Sequence, residues 1–112
     1  MKEDKVLVFD ILDATNRIRK YIRGVSFAKF NAASEKQDAV VRNLGIIGEA
    51  AGKLSLEFKR KHSVIPWRDI VDMRNKLIHD YSGVDLDIVW DVCSRELPLL
   101  RAALTTAVKN KF

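Results

Sequence analysis

One cysteine, two prolines, five glycines and two histidines are all that this chain has of those residues in 112 positions, and each scarcity removes a class of protein. A single thiol, Cys93, cannot close an intramolecular disulfide, which excludes a small disulfide-stapled scaffold. With so little Gly and Pro, and no Ser-rich run beside them, no flexible linker divides the chain, and residues 1–112 are expected to form one domain. His62 and His79 are the only histidines. Without a cysteine cluster, an H-E-x-x-H pair or a C-x-x-C pair, neither a zinc site nor another bound cofactor is expected. There is no P-loop, no G-x-G-x-x-G after a strand, and nothing that locates a Ser/His/Asp triad. No stretch has the length and apolar purity of a signal peptide or a membrane span, so the expectation is a cytoplasmic protein without a membrane partner.

What is present points to a folded basic domain. Hydrophobic residues make up 47% of the chain, which argues against disorder, and 20 Lys and Arg against 15 Asp and Glu leave a net charge of +5. That excess favours a polyanionic partner such as RNA.

The apolar residues recur at helical spacing throughout, with no alternating strand pattern, internal repeat or low-complexity run. Val8, Ile11, Leu12, Thr15, Ile18 and Ile22 predict an amphipathic helix from Lys5 to Ile22. Gly24 to Ala33 reads as a loop pinned by Phe27 and Phe30. Ser34 and Gln37 form a capping-box pattern that opens a second helix, expected to run to about Arg60 with Val40, Leu44, Ile47, Ala51, Leu54 and Phe58 as its seam. Gly45, Gly48 and Gly52 lie beside that seam, and glycine costs a helix interior roughly 1 kcal/mol relative to Ala; a closely approaching helix is expected there. Pro66 suits the first turn of a third helix, with Trp67, Ile70, Val71, Leu77 and Ile78 on its apolar side and Gly83 as its C-terminal cap. Asp85 can cap a fourth, with Val89, Val92, Cys93, Leu97, Leu100, Leu104 and Ala107 inward and Pro98 forcing a kink or break. Cys93 therefore reads as a core residue. The fold class is all-α, an antiparallel four-helix bundle with a kinked C-terminal helix.

Arg74-Asn75-Lys76-Leu77-Ile78-His79-Asp80-Tyr81 concentrates the chemistry. A permanently charged guanidinium suits a phosphate, an imidazole titrates near neutral pH, and a tyrosine hydroxyl can be modified. Arg74 shares the apolar stripe of Trp67, Ile70 and Leu77, so it needs a partner, and Glu49 or Asp38 on the second helix are candidates for a structural ion pair. Glu49 has an alternative in Lys53, four residues on. His79 lies about 140° around the helix from Arg74 and continues the polar row of Arg68, Asp72 and Asn75. Arg74 and His79 could then meet only if the helix unwinds near His79 or a second copy completes the site. Asn75, one turn before His79, can orient the imidazole; the structural alternative is a solvated polar face.

These residues, with several others in order, resemble the HepT type of HEPN-domain protein. The R-x(4–6)-H motif, extended to R-x4-H-x-Y, is matched by Arg74, His79 and Tyr81. Asn43-Leu44-Gly45-Ile46-Ile47-Gly48-Glu49-Ala50, Ile65-Pro66-Trp67-Arg68 and Gly83-Val84-Asp85-Leu86-Asp87-Ile88-Val89-Trp90 are similar to the family's other recurrent stretches. The resemblance covers nearly the whole chain.

It implies a HEPN-like bundle and the toxin half of a HEPN/MNT toxin–antitoxin pair. The implied activity is a metal-independent endoribonuclease acting on tRNA or mRNA as a homodimer with facing motifs. Arg74, His79 and Asn75 would be catalytic, with Glu49 and Asp38 as supporting residues. It further implies a cognate MNT-type nucleotidyltransferase antitoxin, in a hetero-oligomer, that transfers AMP to Tyr81. Two other readings of the residues are a non-catalytic accessory or substrate-binding subunit of a nucleotidyltransferase, and a structural dimer.

Overall fold

The computed structural model describes residues 3–79 and 85–110, with the side chains of Ile78 and His79 outside that description. Gly83, expected as a helix cap, and Tyr81 also lie outside the described residues. Every described element is helical: α1 Asp4–Ile22, α2 Phe27–Asn31, α3 Ser34–Lys53, α4 Leu56–Lys61, α5 Trp67–His79, α6 Leu86–Asp91, a π-helical turn Val92–Glu96, and α7 Leu97–Lys109. The long elements α1, α3, α5 and α6–α7 make the expected helical bundle.

The core follows the stripes. Val8, Ile11 and Ile18 of α1 meet Val40, Leu44, Ile47 and Ala51 of α3, all fully buried. Each such aliphatic side chain contributes roughly 1.5–3 kcal/mol on burial. The only described polar groups buried with them are Thr15 and Asn43, and both return a hydrogen bond to their own helix: Thr15 Oγ1 donates to Ile11 O at 2.8 Å and Asn43 Nδ2 to Ala39 O at 2.8 Å. Hydrogen bonds at both ends set α1 antiparallel to α3. Asp4 accepts from Ser55 at one end, and Lys36 Nζ donates to Tyr21 O at the other. Cys93 is buried, its thiol pushed up to about 12 by desolvation, and belongs to the core.

Three local expectations differ from the structure, and a fourth takes a definite form in it. The stretch after α1 contains a helix, α2, where a loop was expected; Gly24 at φ 68° makes the turn into it. The two rings do pin it, Phe30 fully buried and both packed on Trp90 with centroids 5.2 Å and 6.0 Å away. The Ser34 hydroxyl does not cap α3, and the Gln37 amide donates instead to Phe30 O and Asn31 O at 2.9 Å and 3.0 Å, closing the end of α2. The second helix does not reach Arg60 unbroken, because Ser55 leaves it to cap α4 through a 3.1 Å bond from Phe58 N, while the Asp4 carboxylate takes its N–H and hydroxyl. The seam survives, since Leu54 and Phe58 stay buried across the break. Finally, the kink or break expected at Pro98 takes the form of a π-helical turn just ahead of it: Pro has no N–H to donate one turn back, and Leu97 N reaches five residues to Val92 O.

Candidate active site

Helix α5 is set by its first residues. Pro66 stands just before it, its carbonyl accepting from Ile70 N at 3.2 Å. Trp67 is buried, its indole N–H donating to His62 O at 3.1 Å and its ring 6.0 Å from that of Phe58. This anchor lays α5 antiparallel across α3, with Val71 over Gly52 and Arg74 over Gly48.

Gly48 is the close approach expected of the glycine face. A Cβ there would collide with Arg74 Cβ, lie 2.7 Å from Arg74 Cγ, and sit 3.2 Å from Ile70 O. The other two glycines are not required by this crossing: a Cβ at Gly52 would rest 3.7 Å from Val71 Cγ2, an ordinary contact, and at Gly45 would meet no described residue within 4 Å. Bare backbone at Gly48 therefore seats the stem of Arg74.

From that seat the half-buried Arg74 turns to its neighbour, Nη1 donating to Asn75 Oδ1 at 3.1 Å. Neither carboxylate expected as its partner is there. Glu49 pairs with Lys53 at 3.4 Å on the exposed side of α3, and Asp38 is exposed with no ion pair among the described residues. The physical reason is rotational: Glu49 follows Gly48 by about 100° and so points away from the crossing. Arg74 thus has a half-buried stem and a guanidinium without a described counterion, which leaves its charge available to an external anion.

The bond to Asn75 carries the guanidinium round the helix. Helix α5 stays helical through His79, so it does not unwind, yet the long Arg74 arm reaches the row of Arg68, Asp72 and Asn75 that position 79 continues. The guanidinium and the Asn75 amide are joined on that row. The His79 side chain and Tyr81 lie outside the described residues. Among the described residues, no group of three or more His, Cys, Asp or Glu side chains is placed to hold a metal ion.

A hollow of another kind lies elsewhere. An apolar groove of about 850 Å³ opens between α5 and α6–α7, with Leu44, Ile47 and Leu100 in its lining. Its charged lining residues are Asp69, Asp72, Asp85, Glu96 and a single Lys76, a sign unsuited to a polyanion.

The fold is a helical bundle with Arg74 bonded to Asn75 on α5, and the comparisons place it among the HEPN-type ribonucleases. The family model for HepT-like ribonucleases matches residues 11–107, and the chain belongs to that family. A relative from Thermococcus cleftensis named "Probable ribonuclease HepT" is 41% identical over 92 residues, 82% of this chain and 84% of its own. One from Caldanaerobacter subterraneus subsp. tengcongensis, named "Putative RNase", is 40% identical over 100 residues, 89% of each chain. No solved structure matches the chain. The ribonuclease assignment agrees with the reading from the motif, and no helix among the described residues is long and apolar enough to cross a membrane.

Proposed function

We propose that this chain is the toxin of a toxin–antitoxin pair of the type II or VII kind, an endoribonuclease that needs no metal and is neutralised by a nucleotidyltransferase antitoxin. The observation that supports the chemistry best is Arg74, half-buried, bonded to Asn75 and without a described carboxylate partner. Cleavage without a metal makes the ribose 2′-hydroxyl the nucleophile. A base takes its proton, the new P–O2′ bond forms, and the P–O5′ bond breaks as an acid protonates the departing oxygen. Arg74 would hold the phosphate and stabilise the phosphorane. Asn75, its carbonyl already given to Arg74, keeps its amide N–H groups to orient the imidazole one turn on. His79 can fill one of the two proton-transfer roles, and the other falls to His79 of a second copy, because the chain's remaining histidine, His62, packs against Phe58 at 4.4 Å near the start of α5. The working unit is then a homodimer. Purified protein should run as a dimer in light scattering at micromolar concentration. In EDTA the same sample should cleave tRNA or mRNA to 2′,3′-cyclic phosphate and 5′-hydroxyl ends. Strict dependence on Mg²⁺, or full activity as a monomer, would overturn the scheme.

Control of the toxin is assigned to Tyr81. Two residues beyond His79, its hydroxyl can attack the α-phosphorus of ATP held by the antitoxin, forming a tyrosyl–AMP ester with loss of the phenolic proton and of pyrophosphate. The added phosphate would compete for Arg74 and repel the RNA backbone. Co-expression with the antitoxin should raise the mass of the Tyr81 peptide by multiples of one AMP, and Tyr81→Phe should escape both modification and neutralisation. Full neutralisation with Tyr81 unmodified would mean inhibition by binding alone.

A further inference from the structure

Two features of the α3–α5 crossing are left unused by the chemistry above. One is Gly52, in the last turn of α3, which is not needed for packing, since a Cβ there would make only ordinary contact with Val71. The other is the cationic corner beside it, where the last turn of α4 carries Lys59, Arg60 and Lys61 and the second residue of α5 is Arg68. The two meet in a hollow of about 430 Å³ lined by Gly52, Lys59, Trp67, Arg68, Val71 and Asp72. A side chain at position 52 would fill it.

Both cations there have donors to give. Arg68 is exposed with no ion pair among the described residues, and Lys59 makes one long bond, Nζ donating to Gly52 O at 3.4 Å. A guanidinium offers five N–H groups and an ammonium three. Arg68 also stands on the same row as Asn75 and His79, seven and eleven residues earlier, which is about 10 Å and about 16 Å along the axis. That is a separation suited to a phosphate further along the strand being cut and too great for the scissile one. The apolar groove on the other flank of α5, with its acidic lining, offers a polyanion no such path.

We propose that RNA runs from the Arg74–Asn75–His79 row toward the start of α5, where Arg68 and Lys59 grip a phosphate of the strand in the hollow that Gly52 keeps open. This subsite rests on the ribonuclease reading of the row and adds to it a direction for the substrate. Asp72 lies between the two ends and lines both this hollow and the edge of the apolar groove. Its carboxylate opposes the strand and keeps binding weak enough for product to leave.

The test separates binding from cutting. A mixed-sequence RNA 20-mer carrying 2′-O-methyl groups throughout cannot be cleaved by its own 2′-oxygen, and fluorescence anisotropy with it measures binding alone. Replacing Arg68 and Lys59 together by Ala should weaken binding about tenfold or more near 50 mM salt. The slope of log affinity against log salt should fall by about 1.4, two contacts at roughly 0.7 each on a single strand. With cleavable RNA the loss should fall in KM rather than kcat. Asp72→Asn should tighten binding, and Gly52→Leu, its fold checked by thermal denaturation, should weaken it. Arg19→Ala with Lys20→Ala removes the same charge from exposed positions on α1 and should have a much smaller effect. Equal losses in both double variants would reduce the subsite to net charge and overturn it, as would an unchanged KM or a fall confined to kcat. If wild-type protein binds the 20-mer through Arg68 and Lys59 yet cuts no RNA, the subsite stands and the cleavage reading falls; if it neither binds nor cuts, both fall.

Discussion

His79→Ala and Arg74→Ala should each abolish RNA cleavage in EDTA while leaving a folded protein. Loss of a general acid or base typically lowers rate by about 10²–10⁴, and loss of one preorganised donor to a developing anion by about 10²–10³. Both substitutions should therefore bring turnover near background. The expectation that the fold survives follows from Arg74's surroundings. No described carboxylate is paired with it, so truncation leaves no uncompensated buried charge, and what is lost is the stem lying over Gly48 and one hydrogen bond to a neighbouring exposed amide. Arg74→Lys keeps the charge and loses the planar fork, so it should retain only a small part of the activity. Circular dichroism and thermal denaturation on the same samples settle the alternative. An Arg74→Ala protein that unfolds would mark the guanidinium as structural, and a folded His79→Ala protein with full activity would remove His79 from the chemistry.

How much of this was legible beforehand depends on the range of the interaction concerned. The seams of α1, α3 and α6–α7 are periodic in the sequence because each helix buries one face, and every residue assigned to the α3 seam is buried. The break after Lys53 was not legible, because it rests on Asp4 binding Ser55 from 51 positions away while Leu54 and Phe58 keep the apolar register through it. Gln37 illustrates the same limit: its reach back from the start of α3 is local and readable, but its acceptors are Phe30 O and Asn31 O, carbonyls of a five-residue helix too short to show a period. At the site, the motif named the residues, and helix angles alone leave out the reach of a long side chain. Neighbouring positions on a helix do not ordinarily face each other, so the Arg74–Asn75 bond is not readable from spacing; of the two carboxylates offered to Arg74, Glu49 takes its alternative partner Lys53, and Asp38 stands about 15 Å along α3 from Gly48. Lys59 and Arg68 carried no motif, and only the fold brings them to one hollow.

The glycines of α3 should respond to the same substitution with opposite signs. In a helix interior Gly→Ala by itself gains roughly 1 kcal/mol. At Gly45, with no described atom within 4 Å of the added methyl, that gain should be realised as a higher melting temperature. At Gly48 the methyl must displace Arg74 Cβ and Cγ and press on Ile70 O. Two of these belong to rigid parts of α5, a Cβ and a main-chain carbonyl, so relief requires the helices to separate. Overpacking of this kind costs about 1–3 kcal/mol, and Gly48→Val, with two more carbons at the crossing, should cost more than Gly48→Ala. Because Arg74 rides on the displaced helix, Gly48→Ala should also lower kcat, although position 48 touches no substrate, and misplacement of a catalytic group by about 1 Å can cost 10²-fold in rate. Thermal denaturation with cleavage kinetics on Gly45→Ala, Gly48→Ala and Gly48→Val makes the comparison. Equal or reversed stability changes at positions 45 and 48 would show that α5 does not cross α3 at Gly48, and the seating of Arg74 would fall with it.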